Sequence, residues 1–260
     1  MDNESIKILA QNIVDKVHQT IKERHSDNFH SFKNNVGIGA DGTPTKMVDK
    51  LAEDAAIDVI DKSDTDVNLL SEEAGFLDNR AEYTFVLDPI DGTRNAARGI
   101  PFYSVSLGVG KETLSDVEYG IIKNIPTGDI FIAERGYGAF LNNKNIGVPE
   151  VPEKTILSSL SLGVNHDEKT IRLAEKNKVR SLGSASLEMC MVATGALDFY
   201  MVGHDYLRVT DIAASTLIVR EAGGVVTDSL GKKLDINLSL DERTSIVAAG
   251  NMELVSEIIS

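Results

Sequence analysis

The segment Leu87–Thr93, LDPIDGT, sets two aspartates three residues apart around a proline, with a threonine hydroxyl two residues beyond. It continues the apolar run Tyr83–Leu87. Asp-Pro and Asp-Gly both favour turns, so a turn is one reading. Clustered carboxylate oxygens beside a buried strand also suit a hard cation, which is the other. Further acids share the setting of Asp88 and Asp91. Glu72 follows the strand-like Val67–Leu70, and Asp49 opens a helix after a Gly-rich loop. Asp211 lies in the first turn of the apolar stretch Val209–Ala214, where Thr210 reads as the N-cap. Taken singly, an Asp at a helix start is a capping or dipole residue, and Glu72-Glu73 is a solvated loop. Taken together, these acids flank elements that read as buried. If those ends converge, the carboxylates crowd and cannot all stay ionised without cations. A donor set of oxygens, without His or Cys, points to Mg²⁺ rather than Zn²⁺.

The elements that must position these residues follow from periodicity. Ile6, Leu9, Ile13, Val17 and Ile21 recur every three or four residues, so an amphipathic helix is predicted over about 4–24. The stretch 36–45 is punctuated by Gly37, Gly39 and Gly42 and reads as a mobile loop. A second helix is predicted over about 47–61. From 67 to about 148 the pattern is one of strands, including the period-two run Tyr103–Val109. Beyond Pro149–Pro152, strands at 155–160, 179–182, 197–202, 225–227 and 245–249 are interspersed with helices at 167–177, 184–194 and 210–222. The last of these helices closes on Gly223-Gly224. The layout is an α+β half (1–150) joined to an α/β half (151–260).

The 260 residues are 42% hydrophobic and 25% charged, enough for one large domain or two modest ones. A net charge of −14 argues against nucleic acid or an anionic membrane as the main partner. It also sits awkwardly with an anionic substrate, unless bound cations stand between them. Cys190 is the only cysteine, which leaves no internal disulfide and no Cys-based zinc site, and it reads as core. The N-terminus has no signal-peptide pattern and no run approaches membrane-spanning length, so a reducing, cytoplasmic setting is expected.

Ser71-Glu72-Glu73, Leu87–Thr93 and Asp211–Ala214 with Glu221–Gly224 occur here in an order that resembles the inositol monophosphatase family. This is the Mg²⁺-dependent, lithium-sensitive phosphatase superfamily that also holds fructose-1,6-bisphosphatases. Arg180–Ala185 and Met189–Gly195 look like that family's second half, and Gly39–Lys46 looks like its archaeal members. The resemblance implies a layered αβαβα sandwich, two or three Mg²⁺ per active site and a homodimer. It implies that Glu72, Asp88 and the Ile90 carbonyl hold a first metal. A second would sit on Asp88, Asp91 and Asp211, and a third near Glu72 and Asp41. Glu72, Thr93 and Asp49 would orient the attacking water or share its proton. Gly92 and Thr93 would lead into a helix whose N–H groups face the phosphate, and Gly183, Ser184 and Ala185 would line a sugar pocket. None of the histidines is expected to ligate metal.

The chain departs from the inositol-selective animal enzymes of that family in three places. Val202 stands where they carry Glu, Thr210 stands where they carry Trp, and 204–208 is a longer loop. Arg208, and less strongly Arg180, are therefore candidates for a second phosphate or a sugar hydroxyl, with a structural ion pair as the alternative for each. The expected substrates are inositol-1-phosphate and fructose-1,6-bisphosphate. The competing readings are a 3′-phosphoadenosine 5′-phosphate phosphatase and a non-catalytic dimeric binding module.

Overall fold

A computed structural model describes residues 3–40, 42–149, 156–162 and 168–260. Helix α1 (Asn3–Asn28) leads to a hairpin of β1 (Asn35–Ile38) and β2 (Pro44–Lys46), then to helix α2 (Met47–Asp61). Next come the strands β3 (Asn68–Ser71), β4 (Gly75–Leu77), β5 (Thr84–Asp91) and β6 (Ser104–Gly110), with a single helical turn, α3 (Thr93–Ala96), after β5. They are continued by β7 (Tyr119–Asn124), β8 (Ile130–Glu134), β9 (Gly138–Leu141) and β10 (Lys144–Ile146). The second part holds β11 (Leu157–Leu160), α4 (Glu168–Lys176), β12 (Lys178–Arg180), α5 (Ala185–Ala193) and β13 (Phe199–Leu207). It ends with α6 (Val209–Glu221), β14 (Val225–Thr227), β15 (Thr244–Ala249) and α7 (Met252–Ile259).

Alternation along the strands stacks these elements into layers, because successive side chains point to opposite faces. The eight-stranded sheet has the order β10-β9-β8-β7-β6-β5-β3-β4. On one face Phe85, Leu87, Val105, Leu107 and Ile121 pack with Ile6, Ile13 and Val17 of α1 and Val48 and Ala52 of α2. On the other face Val86 and Ile122 pack with Leu187 and Met189 of α5 and with Ile212 and Ala213 of α6. The five-stranded sheet, β12-β11-β13-β15-β14, splits in the same way. Tyr200, Val202, Ile246 and Ala248 join α5 and α6, whereas Phe199, Met201, Val247 and Ala249 cover α7. The result is an αβαβα sandwich with α5 and α6 in the middle.

Helix α6 is buried from Val209 to Val219, as expected of a helix that is apolar all round. It lies close against the large sheet because Gly108 and Gly120 face it. A Cβ on Gly108 would come within 2.9 Å of the Ala213 Cβ, and one on Gly120 within 2.9 Å of the Ala214 carbonyl oxygen. This contact brings the first turn of α6 up to the end of β5. Cys190 is buried, as the sequence predicts. Among the described residues no helix is long and apolar enough to cross a membrane.

Several local expectations are corrected. The stretch read as a mobile loop forms β1 and β2, pinned by Gly39 N–H to Thr43 O (2.9 Å) and Ala40 N–H to Glu73 O (3.0 Å). Its glycines permit the tight reversal between two short strands rather than excluding them. Helix α1 runs past its last apolar repeat. The helix expected after Gly92 is one turn only. The seam expected near residue 150 falls on residues outside those described.

Candidate active site

The aspartates of LDPIDGT sit in a strand, not in a turn. β5 continues through Asp91, and its pairing with β6 slips there: Asp88 faces Ser106 and Asp91 faces Ser104. Three steps on β5 thus match two on β6, a bulge of one residue. In a regular strand, residues three apart point to opposite faces; the extra residue restores them to one side. Pro89 is tolerated at the bulge because it has no N–H for the ladder. Gly92 follows at φ 97°, where a Cβ would crowd the Gly183 carbonyl oxygen at 3.1 Å, so both the backbone angle and the close approach require glycine.

Three carboxylates converge on this point. One oxygen each from Glu72, Asp88 and Asp211 lie within 4.8 Å of one another. Asp88 is 2% exposed. Burial raises its pKa well above the ordinary carboxylate range, and the fields of Asp91, Glu72 and Asp211 raise it further, with Arg208 acting the other way. A buried, over-supplied negative site of hard oxygens fits a cation such as Mg²⁺. The protein's own cation reaches the same oxygens: the Arg208 guanidinium donates to Glu72, and to Asp211 Oδ1 at 3.3 Å.

Asp91 is handled differently, and its carboxylate stands outside that trio. Oδ2 accepts from Ser184 Oγ at 2.7 Å, from the Ser186 N–H at 2.7 Å and from Ser186 Oγ, while Oδ1 accepts from the Ala185 N–H at 3.1 Å. Burial raises its pKa, but these donors restrain the rise to about 6. Ser184 and Ala185, expected along a sugar pocket, are thus engaged in clasping Asp91 at the start of α5. Gly183 N–H donates to Glu188 Oε2 at 3.2 Å.

Helices α2 and α6 begin alike. In each, the third helical residue is Asp and one of its oxygens accepts the N–H of the preceding cap residue: Lys46 to Asp49 Oδ2 at 3.1 Å, Arg208 to Asp211 Oδ2 at 2.7 Å. This half of a capping box leaves the other oxygen for the site. The N-cap of α6 is therefore Arg208 and not Thr210, whose hydroxyl is buried without a hydrogen-bond partner among the described residues. Asp49 Oδ1 accepts from Thr93 Oγ1 at 2.9 Å, and the Ile90 carbonyl lies 3.1 Å from the same hydroxyl. One hydroxyl proton serves one acceptor at a time. Burial raises the Asp49 pKa to about 7, against the lowering pull of Thr93 and the Lys46 N–H.

Two buried acids were not singled out from the sequence. Glu53 Oε1 accepts from Ser71 Oγ at 2.5 Å and from the Ala74 N–H at 2.8 Å, bracketing the turn that carries Glu72. Glu188 accepts from Ser159 Oγ and from the N–H groups of Leu182, Gly183 and Ser184. The available signal was position: Glu53 lies one turn after Asp49 on a helix face that packs inward, and Glu188 interrupts an apolar run. Arg180 lies on β12 and donates to the Val179 carbonyl at 3.0 Å, with no contact to the acidic trio among the described residues. Asp41, expected as a loop ligand, lies outside the described residues.

A model of the inositol monophosphatase family matches residues 2–260. A fructose-1,6-bisphosphatase/inositol-1-monophosphatase of Methanothermobacter thermautotrophicus is 42% identical over 238 residues, covering 86% of this chain and 85% of the relative. A bifunctional NADP phosphatase/NAD kinase of Methanococcus maripaludis is 38% identical over 241 residues, covering 84% of this chain but 42% of that longer protein. A solved structure from Pyrococcus horikoshii, described as similar to inositol-1 monophosphatase, superposes with a TM-score of 0.85 at 34% identity, covering 99% of this chain and 98% of the other. Fold and site define the class first: a phosphomonoester hydrolase on a two-sheet αβαβα sandwich, with its acidic site where β5 meets the central helix. Within that class, the chain belongs to the inositol monophosphatase family.

Proposed function

We propose that this chain releases phosphate from inositol-1-phosphate and from the 1-position of fructose-1,6-bisphosphate, with Mg²⁺ as the required cation. The observation that carries this reading is the convergence of Glu72, Asp88 and Asp211 to within 4.8 Å in a buried, negative setting. These three residues would hold the first cation. Asp91 would contribute Oδ1, which accepts one hydrogen bond where Oδ2 accepts three, to a second. Bound there, Mg²⁺ supplies neutralisation of the phosphate oxygens and of the departing alkoxide, and acidifies an attacking water.

The remaining steps belong to the side chains. Thr93 Oγ1 accepts the proton of the attacking water while passing its own to Asp49 Oδ1. Asp49 suits that receipt because its pKa stands near neutrality. The water oxygen bonds to phosphorus as the bond to the leaving oxygen breaks in line, and that oxygen takes a proton from solvent. Glu53 holds the Glu72 turn at the required place, and Glu188 holds the turn into α5, whose start clasps Asp91.

A second substrate reading has specific support in the 38% identity to a protein named as an NADP phosphatase. A 2′-phosphomonoester of a dinucleotide presents the same reacting group. The test is phosphate release from inositol-1-phosphate, fructose-1,6-bisphosphate, NADP and 3′-phosphoadenosine 5′-phosphate, with and without Mg²⁺ and lithium. Mg²⁺-dependent turnover of either of the first two supports the main reading. Turnover of NADP alone selects the second. Absence of turnover by folded, Mg²⁺-loaded protein rejects both.

A further inference from the structure

Arg208 occupies an unusual position for a residue at a cation site. Its guanidinium pairs with Glu72 and, at 3.3 Å, with Asp211 Oδ1. Its side chain is 18% exposed. Arginine carries its charge throughout the working pH range, so these contacts lodge a permanent cation among the same three carboxylates whose oxygens suit a divalent metal. Like charges repel strongly in so small and shielded a space, so metal and guanidinium compete for Glu72 and Asp211.

The backbone fixes where a displaced Arg208 can go. Its N–H stays tied to Asp211 Oδ2 at 2.7 Å as the cap of α6, so its long side chain can swing without leaving the rim of the site. A planar guanidinium that loses two carboxylates finds its best replacement in the paired oxygens of a phosphate. The anion would then be bound by the very group the metal has released.

We propose that Arg208 is the resident counter-ion of the metal-free site, that a divalent cation displaces it, and that its release couples metal binding to phosphate binding. This rests on Glu72, Asp88 and Asp211 being cation ligands. The coupling is reciprocal: phosphate strengthens Mg²⁺ binding by the factor by which Mg²⁺ strengthens phosphate binding.

The test is calorimetric titration of Mg²⁺ into the full chain, with and without inorganic phosphate, for the wild type, Arg208→Met and Arg208→Lys. Without phosphate, Arg208→Met should bind Mg²⁺ about fivefold or more tightly than the wild type. The gain in Mg²⁺ affinity on adding phosphate should shrink in the variant. In EDTA, Arg208→Met should also melt at a lower temperature, because its crowded carboxylates lose their counter-ion. Arg208→Lys keeps the charge but not the two-armed bridge, and should bind Mg²⁺ with intermediate affinity; it carries the test if the Met variant does not fold. Mg²⁺ affinity in the variants equal to or weaker than wild type overturns the proposal and leaves the metal site standing. Absence of Mg²⁺ binding by wild type and variants alike overturns both.

Discussion

Asp88 and Asp91 occupy one strand, three residues apart, and both are buried, yet they are treated in opposite ways. Asp91 is surrounded by neutral donors from the start of α5, and its clasp extends through Ser186 to Ser104 on β6 at 2.9 Å. Asp88 is surrounded by other acids, and its Oδ1 accepts from the Ile90 N–H at 3.0 Å. The difference separates two uses of buried charge. Hydrogen-bond donors make a carboxylate a structural fastening, here between the large sheet and the central helices. A shortage of donors and a surplus of like charge make it a receptor for a cation.

Breaking the Asp88 side should give the largest functional effect and no loss of fold. Asp88→Asn removes crowded charge, so turnover should fall about a thousandfold or more, as loss of a metal ligand implies. Urea unfolding in EDTA should show the variant at least as stable as the wild type. Near-normal turnover would remove Asp88 from the metal site.

Breaking the Asp91 side should cost the fold its fastening as well as the second cation its ligand. Asp91→Ala leaves the Ser184 and Ser186 hydroxyls and two N–H groups without their acceptor, and should cost about 3 kcal/mol or more in EDTA urea melts. An unaffected melt would mean that the clasp contributes nothing to stability.

The support beneath the cation side gives a smaller effect. Glu53 makes both of its hydrogen bonds through one oxygen, so the carboxamide of Glu53→Gln can keep them whereas Glu53→Leu cannot. The Leu variant should bind Mg²⁺ about 10–100-fold more weakly and the Gln variant should stay close to wild type, as titration calorimetry can measure. Equal losses in both would point to charge rather than geometry as the contribution of Glu53.

The smallest functional consequence attaches to the pH dependence of the metal-free fold. Burial raises Asp49 to about 7 and Asp91 to about 6, and raises Asp88, Glu53 and Glu188 as well. A carboxyl whose folded pKa exceeds its unfolded value stabilises the fold fully below the unfolded value, near 4, and loses that contribution as pH rises through the folded one. Glu82 and Asp235, lowered by their partners, act in the opposite direction. In EDTA, unfolding free energy should therefore fall as pH rises from about 5 to about 7.5, and Mg²⁺ should flatten the slope. A rise over that interval without metal would contradict the raised carboxyls.

The acids themselves were legible in the sequence because each stands where an apolar periodic element starts or stops. The layers were legible too, from the period-two runs of β6 and the apolar circumference of α6. What holds the acids in place was not. The clasp on Asp91 comes from residues 93 to 95 positions away, and Arg208 meets Glu72 across 136. No local propensity encodes such pairings. The bulge was hidden because Asp-Pro and Asp-Gly carry the same turn signal in a strand as in a loop. Thr210 reads as the N-cap on side-chain type, but Asp211 caps the Arg208 N–H from inside the helix, leaving Thr210 in the first turn.

The central claim is that Glu72, Asp88 and Asp211 together receive a divalent cation. Anomalous scattering from crystals grown with Mn²⁺ tests it most directly. The account predicts a peak bonded to oxygens of all three residues, with the Arg208 guanidinium drawn away from Glu72. Crystals equilibrated with Mn²⁺ that show no peak there, with Arg208 still paired to Glu72, would contradict it.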